Sequence, residues 1–240
     1  MRQSLRMLKL LLAVLVICPA TGAYALTASE IISRARTFLR DTSSSAARQR
    51  YSDTQLLGFL NDCQREANSF AWILRSSYTF TLSGGTTEYA LPSDFQATWR
   101  ATYKNRKLDQ TSQNELDAKS INWQAVSGEV NSYYIYIATS PWIGFYPAPV
   151  ASSTGTATVH YLQSTTDMTS TSETPWNAWR QLSPYHSGLS YCVAHRGLWT
   201  IGDPLADKYL AEWNQWISVM KFGIMQTPDF NPGFQGRREE

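Results

Sequence analysis

The sequence contains none of the short motifs that carry catalysis in common enzyme classes. It has no Gly-x-Ser-x-Gly nucleophile elbow, no glycine-rich phosphate loop and no His-Glu-x-x-His zinc motif. Only three histidines occur, and His186 and His195 are nine residues apart, which places them on opposite faces of a helix. The absence of these motifs argues against enzymatic activity. We also expect no bound cofactor and no metal site.

Charged residues are scarce, at 17% of the chain, and neither sign dominates. The formal net charge of +2 comes from the first residues, because the chain from Thr27 onward has 18 basic and 19 acidic side chains. General nucleic-acid binding needs a basic stripe and is therefore not expected. One local group of arginines departs from this balance: Arg34, Arg36, Arg40, Arg48 and Arg50. It is either a solvated surface or a contact for phosphate or a partner.

Cysteine is also rare, with three residues in the chain. Cys18 lies in an apolar stretch, whereas Cys63 and Cys192 each lie in a helical pattern. We interpret these two as small buried thiols. A disulfide between them requires export to an oxidising compartment.

Residues 1–26 have the pattern of a secretory signal. A basic start precedes the apolar run Leu10–Cys18, and the small-residue site Ala23-Tyr24-Ala25 follows. The apolar run is too short for a comfortable membrane span. This segment is the main support for an exported protein.

Two amphipathic helices are predicted in residues 27–75. Thr27-Ala28-Ser29-Glu30 opens the first helix, and Ser52 with Gln55 forms a capping box for the second, which runs from about Asp53 to Leu74. The predicted core stripe of the second helix has helical spacing. It consists of Leu56, Leu57, Leu60, Cys63, Ala67, Phe70 and Leu74.

The hydrophobic period changes to two in residues 76–175, which predicts a β domain. Gly84-Gly85 is expected to join a first hairpin, and Thr139-Ser140-Pro141 a second. The predicted strands are Tyr78–Leu82, Thr87–Leu91, Ala97–Tyr103, Tyr133–Ala138, Trp142–Tyr146 and Ala157–Leu162. We expect Phe145 in the core, whereas Trp142 and Tyr146 are core or contact surface.

Two more helices are predicted in residues 183–222, and an extended arm in residues 223–240. Ser183-Pro184 and Asp203-Pro204 supply helix starts. Phe230 and Phe234 give the arm apolar side chains to bury on a partner. The predicted fold class is therefore α+β, with a helical bundle from the N- and C-terminal helices, an inserted antiparallel β domain and an extended C-terminal arm.

Several local phrases occur in an order that resembles a known family. They are Thr27-Ala28-Ser29-Glu30-Ile31-Ile32, Arg50-Tyr51-Ser52-Asp53, Leu60-Asn61-Asp62-Cys63-Gln64-Arg65-Glu66, Leu91-Pro92-Ser93-Asp94-Phe95, Ile143-Gly144-Phe145-Tyr146-Pro147-Ala148-Pro149 and Val159-His160-Tyr161-Leu162. With these phrases the chain resembles the head–tail connector proteins, also called adaptor or neck proteins, of tailed bacteriophages. The resemblance extends from Thr27 to about Met220.

The resemblance implies a structural virion protein that acts in genome packaging and ejection. Such proteins form a homo-oligomeric ring, usually a dodecamer, beneath the portal protein, and the ring joins the capsid to tail or neck proteins. Genomic DNA passes through it without sequence-specific binding. The implied location is the virion neck, with assembly in the host cytoplasm and no membrane in the mature role.

Two groups of contact residues follow as hypotheses. Contacts with the portal or a neighbouring subunit are expected at Phe230, Phe234, Arg237, Arg238, Arg34, Arg36 and Arg40. A loop facing the channel or the tail is expected at Lys104, Arg106 and Lys107.

Residues 1–26 depart from the family pattern. Leu26 is an alternative start, or the segment is retained as an extra helix on the ring. If the segment is a true signal, the competing hypothesis is an exported β-domain module that binds carbohydrate or a surface through exposed Trp and Tyr side chains.

Overall fold

The computed structural model describes residues 25–152, 154–176 and 179–225. The α-helices are α1 (Ala28–Leu39), α2 (Asp53–Ala71), α3 (Gln113–Lys119), α4 (Leu189–Thr200) and α5 (Leu205–Met225). The strands are β1 (Arg75–Leu82), β2 (Glu88–Ala90), β3 (Phe95–Tyr103), β4 (Arg106–Lys107), β5 (Asp109–Gln110), β6 (Ser127–Gly128), β7 (Ser132–Ile137), β8 (Pro141–Tyr146), β9 (Ala148–Pro149) and β10 (Gly155–Gln163). The fold is mixed α+β, as predicted.

The chain divides into two compact units. Among the described residues, unit 1 contains those of 25–61 and 168–213, and unit 2 contains those of 62–167 and 214–225. These boundaries lie inside α2 and α5, whereas the boundaries expected from the sequence lie between element types. The bundle of N- and C-terminal helices stays a prediction.

Unit 1 is built on the packing of α1 against α4. Helix α1 begins where the sequence predicts, and Thr27 and Glu30 form a capping box there. Gly197 lets α4 approach closely, because a Cβ there would lie 2.7 Å from a methyl carbon of Leu39. The ring of Phe38 stacks 5.5 Å from that of Tyr191, which extends the contact along α1. An apolar helix pair therefore forms the centre of this unit.

The start of α4 differs from the prediction. Residues Arg180–Gly188 form a 3-10 helix that contains Pro184, and the α-helix begins only at Leu189. The next helix start is confirmed, because Leu205 donates its backbone N–H to Asp203 Oδ1 at 2.9 Å.

Unit 2 contains a β sandwich. The first sheet has the strand order β1-β10-β3-β4, and the second has the order β2-β8-β7-β5. Both sheets contribute to one buried core. Its members are Leu82, Leu91, Phe95, Ala101, Tyr103, Leu108, Val130, Tyr133, Ile143, Phe145, Ala157, Val159 and Tyr161.

The two predicted hairpins have different outcomes. The second is confirmed, because β7 pairs antiparallel with β8. The first is wrong, because β1 pairs with β10 while β2 pairs with β8 in the other sheet. The turn at Gly84 and Gly85 is real, but it carries the chain from one sheet to the other. The predicted domain is also not purely antiparallel, because β5 pairs parallel with β7 and β6 with β9.

The polar face of α2 holds an extended segment of unit 2. Gln64 donates to the Thr166 carbonyl at 3.0 Å, and Asn68 donates to the Gln163 carbonyl at 2.7 Å. Asn68 also accepts the N–H of Leu74 at 2.8 Å. Gln64 and Asn68 are fully buried, so these amides replace the partners that a neighbouring strand would supply.

The predicted α2 stripe is mostly buried, but Phe70 is 59% exposed, so its assignment to the core is wrong. The interpretation of two buried thiols also needs correction. Cys63 and Cys192 are both buried, and each is disulfide-bonded.

Candidate interaction surfaces

Arg36 lies at the centre of a buried ion-pair network in unit 1. Its guanidinium donates to Asp41 at 2.7 Å, to Asp53 at 2.7 Å and to the Tyr51 carbonyl at 2.9 Å. Asp41 in turn accepts the backbone N–H groups of Arg50 and Tyr51. Arg36 and Asp41 are 7% and 6% exposed. Arg36 therefore joins the end of α1 to the start of α2 and is not a surface contact.

The neighbouring arginines of α1 differ from Arg36. Arg34 and Arg40 are exposed. Arg34 contributes to lowering the pKa of Glu30, although hydrogen bonds from Thr27 are the larger cause. Arg40 ends α1 in the left-handed region at φ 53°. Of the three predicted α1 contacts, the structure leaves Arg34 and Arg40 available to a partner.

The predicted basic loop of unit 2 is a two-residue hairpin turn between β3 and β4. Lys104 and Asn105 both have positive φ, at 48° and 64°, which is the geometry of a type I′ turn. The Lys104 ammonium lies 5.2 Å from the centre of the Tyr103 ring. This cation–π contact accompanies an unusual backbone conformation for lysine.

The three cations of this loop have different surroundings. Arg106 is exposed and pairs with Glu129, while Lys107 is exposed on β4. A cleft of about 210 Å³ lies beside the turn. Its lining residues are Tyr103, Lys104, Gly128, Glu129, Val130 and Val150. The loop therefore holds Lys104 against the Tyr103 ring, exposes Lys107 on β4 and engages Arg106 in an ion pair.

The outer face of the second sheet has an aromatic cluster around Tyr134. Tyr134 and Tyr136 donate their hydroxyl hydrogens to the two oxygens of Glu88, at 3.0 and 2.8 Å. Burial, followed by the bond to Glu88, raises the pKa of both tyrosines. Gly144 is required opposite, because a Cβ there would lie 2.0 Å from the Tyr134 ring.

The aromatic residues of β8 divide between the two faces of this sheet. Phe145 is 1% exposed in the core, as predicted. Trp142 and Tyr146 are half-buried on the opposite face. The Tyr146 ring lies 6.3 Å from that of Trp123, whose indole N–H donates to Asp117 at 2.6 Å. These contacts are those of a structural cluster on the sheet surface.

The outer face of the first sheet has a second cluster at one end. The Trp99 and His160 rings are 5.2 Å apart, and the Arg75 guanidinium lies 5.3 Å from the Trp99 ring. Burial, and then the charge of Arg100, lowers the pKa of His160. A neutral imidazole is consistent with this cationic neighbourhood.

Several exposed apolar side chains were not predicted as contacts. They are Phe70, Ile121, Ile137, Trp199, Ile201, Val219 and Phe222, with exposures between 45% and 92%. Trp199 and Phe222 lie outside the apolar stripes of their helices, and that offset is the sequence signal that could have identified them. Large exposed apolar residues are typical of protein contacts.

No helix in the described part of the chain is long and apolar enough to cross a membrane. Among the same residues, no group of three or more His, Cys, Asp or Glu side chains could hold a metal ion. The predicted contacts Phe230, Phe234, Arg237 and Arg238 lie outside the described residues.

The model of one protein family matches most of the chain. The family is described as SU10 adaptor protein, and the match covers residues 26–221. It includes both the helices and the β sandwich. No curated protein matches the chain.

Proposed function

The chain belongs to the SU10 adaptor protein family of bacteriophage adaptors, and from this premise we propose that it forms a homo-oligomeric ring beneath the portal. The ring, a dodecamer in this proposal, joins the capsid to tail or neck proteins. Genomic DNA passes through it during packaging and ejection. The protein is then a structural component of the virion neck and not an enzyme. In this proposal it assembles in the host cytoplasm, and Cys63 and Cys192 become oxidised only after the particle leaves that reducing compartment.

The family match over residues 26–221 is the observation that carries this proposal. Surface composition supports it, because both units expose large apolar side chains. Trp199 in unit 1 is 72% exposed and Phe222 in unit 2 is 67% exposed. Such residues are costly in a monomer and are expected to become buried on assembly.

We assign the contacts with the portal or a neighbouring subunit to exposed Arg34 and Arg40, together with Phe230, Phe234, Arg237 and Arg238. Arg36 is left out because its guanidinium is already bound inside unit 1. Lys104 and Lys107 are assigned to the channel or the tail. A chain with 18 basic and 19 acidic side chains from Thr27 onward suits a channel that lets DNA slide.

The experiment that tests this function is electron microscopy of the phage particle with the protein labelled. We expect a ring of label between capsid and tail. Purified particles that lack the protein, or that carry it elsewhere, contradict the proposal.

A binding assay with purified portal rings tests the assigned contacts. The double variant Arg34→Glu/Arg40→Glu should bind the portal at least about ten-fold more weakly, because each reversal places an acidic group in a basic contact. Arg48→Glu/Arg50→Glu is the matched control, with two exposed arginines of the same unit. Equal binding by both double variants contradicts the assignment.

A further inference from the structure

Strand β1 is an unusually long and unprotected sheet edge. Within the described residues it pairs with β10 alone, over all eight of its positions and without a bulge. The other three edge strands of the two four-stranded sheets, β2, β4 and β5, have only two or three residues. β1 also lacks the proline, lysine or bulge by which proteins protect an edge. It is therefore a place where another strand can add.

The direction of the backbone groups of β1 follows from the hydrogen bonds at its start. Gln163 of β10 donates its N–H to the Leu74 carbonyl at 2.7 Å, so Leu74 and every second residue after it face β10. The alternate residues Ser77, Thr79 and Thr81 therefore direct their N–H and C=O groups away from the sheet. These groups are the free edge.

The side chains of β1 also alternate. Tyr78 and Phe80 lie on the core side, with rings stacked 5.2 Å apart, and Tyr78 is still 37% exposed. Ser77, Thr79 and Thr81 are exposed on the outer face. An added strand must therefore place apolar side chains beside Tyr78 and Phe80 and polar ones beside the hydroxyls.

Residues 227–235 have a strict period of two that meets this requirement. One set of alternate residues is polar or small: Thr227, Asp229, Asn231, Gly233 and Gln235. The other set is apolar and contains both prolines: Pro228, Phe230, Pro232 and Phe234. Proline has no N–H to donate, so in a strand the second set must point its backbone away from the neighbouring strand.

We propose that residues 227–235 of one copy add to the β1 edge of a neighbouring copy as an antiparallel strand. In this arrangement the polar set donates to and accepts from the free groups of Ser77, Thr79 and Thr81. Phe230 and Phe234 then lie on the core side, beside Tyr78 and Phe80. The prolines point outward and leave an edge to which no further strand can add.

The fit is specific to this edge and this direction. On β1 the residues whose backbone groups point toward the free edge carry their side chains on the polar outer face. In an antiparallel pair the residues that hydrogen-bond to them carry their side chains on the same face. In a parallel pair the hydrogen-bonding residues of the two strands carry their side chains on opposite faces. A parallel segment with Phe230 and Phe234 on the core side would therefore point the backbone of its prolines at β1. On the side of β3 away from β10, the core residue Ala101 points its carbonyl out of the sheet, since that carbonyl accepts the Leu108 N–H at 3.0 Å. The prolines would again point inward there.

The assignment to a neighbouring copy rests on the proposed ring. The segment and the edge are different surfaces of one chain, so their contact is head to tail, and head-to-tail contacts form a ring when the rotation between copies closes. A strand supplied by the same chain would leave β1 occupied without joining subunits.

Hydrogen exchange tests the strand itself, independently of portal or virion. The full chain carrying Asp229→Pro/Asn231→Pro cannot fill an edge with its own segment, because two inward donors are lost. A synthetic peptide of residues 226–240 should slow exchange of the Ser77, Thr79 and Thr81 amides at least about ten-fold. The same peptide with proline at 229 and 231 is the matched control. Absence of protection with the natural peptide at saturation, or equal protection with both, overturns the proposal.

A mixing experiment tests which copy supplies the segment. The chain carrying Asp229→Pro/Asn231→Pro retains an open edge, and the Thr79→Pro chain retains a segment but loses an edge donor. The mixture should form one-to-one dimers in sedimentation velocity, and neither chain alone should do so. The Asp229→Ala/Asn231→Ala chain keeps both its N–H groups and its open edge, so it is the control that should still associate with itself. No dimer in the mixture overturns donation between copies. If labelled virions still show the ring in that case, the proposed function stands and only this inference fails.

Discussion

Arg36 and Arg106 were both predicted as contacts, and the structure gives them opposite surroundings. Arg36 is 7% exposed and is held by two carboxylates and a carbonyl in unit 1. Arg106 in unit 2 forms one ion pair with Glu129, and the side chains of both residues are more than 70% exposed. Water screens the exposed Arg106–Glu129 pair more strongly than the buried Arg36–Asp41 pair. We therefore expect the Arg36 contacts to contribute more to the free energy of unfolding. A basic residue in the sequence is therefore a candidate contact only after its partners within the fold are known.

Replacement of Arg36 gives the largest expected effect. Arg36→Leu leaves Asp41 buried without its cation and should lower the free energy of unfolding by about 3–5 kcal/mol. Urea denaturation followed by circular dichroism measures this. Arg34→Leu, on the same helix but exposed, is the control and should change stability by no more than about 0.5 kcal/mol. Equal losses in the two variants contradict the comparison.

A buried uncharged side chain, that of Asn68, tests whether loss of a buried hydrogen-bonding group lowers stability even when no charge is involved. Asn68→Ala leaves the Leu74 N–H and the Gln163 carbonyl without their side-chain partner, which should cost about 1–3 kcal/mol. Ser69→Ala is the matched control, because Ser69 is exposed on the next position of α2. A loss as small as that of the control would show that the α2 amides do not stabilise the extended segment.

Acidification tests a buried titrating group of unit 1. Burial lowers the pKa of His186 from its ordinary value of 6.5, and its Nδ1 lies 3.1 Å from the backbone nitrogen and 3.2 Å from the carbonyl oxygen of Leu26. The unfolded chain therefore binds a proton more readily, so stability is present above pH 6.5 and decreases as the pH falls below it. Thermal unfolding between pH 7.5 and 5.5 should show this decrease, with a smaller share from half-buried His160. A His186→Leu variant with an unchanged slope would contradict the assignment.

The smallest effect is expected at Arg106. Arg106→Ala removes an exposed ion pair and should change stability by about 0.2–1 kcal/mol. The difference should disappear at 1 M salt, where the screening length is about 3 Å. Paired urea titrations at low and high salt measure it. An effect that persists at high salt would place Arg106 with Arg36 rather than in contrast to it.

Local signals in the sequence predicted most elements of this fold. The helix start at Thr27, the capping box at Ser52 and the β7–β8 hairpin are all present. The family resemblance is also confirmed.

What the sequence could not show depends on distant residues. A Gly-Gly turn does not reveal that the strands on its two sides pair in different sheets. Arg36 meets its two carboxylates only because Asp41 and Asp53, five and seventeen residues away, fold back on it. The helical period likewise placed Phe70 in the core stripe of α2, whereas the fold leaves its side chain exposed while Ala67 and Leu74 on either side are buried.

The amide contacts of α2 have a consequence for how this family can vary in length. Gln64 and Asn68 bind carbonyls three residues apart in the connection after β10, and Arg65 pairs with Asp167. Insertion or deletion of one residue within 164–166 shifts Thr166 and Asp167 relative to Gln163 and leaves the buried amide of Gln64 unmatched. Residues 164–167 follow the end of β10 and have no regular secondary structure, yet they cannot absorb insertions as surface loops do. Alignments of relatives should therefore show gaps elsewhere and almost none in this connection.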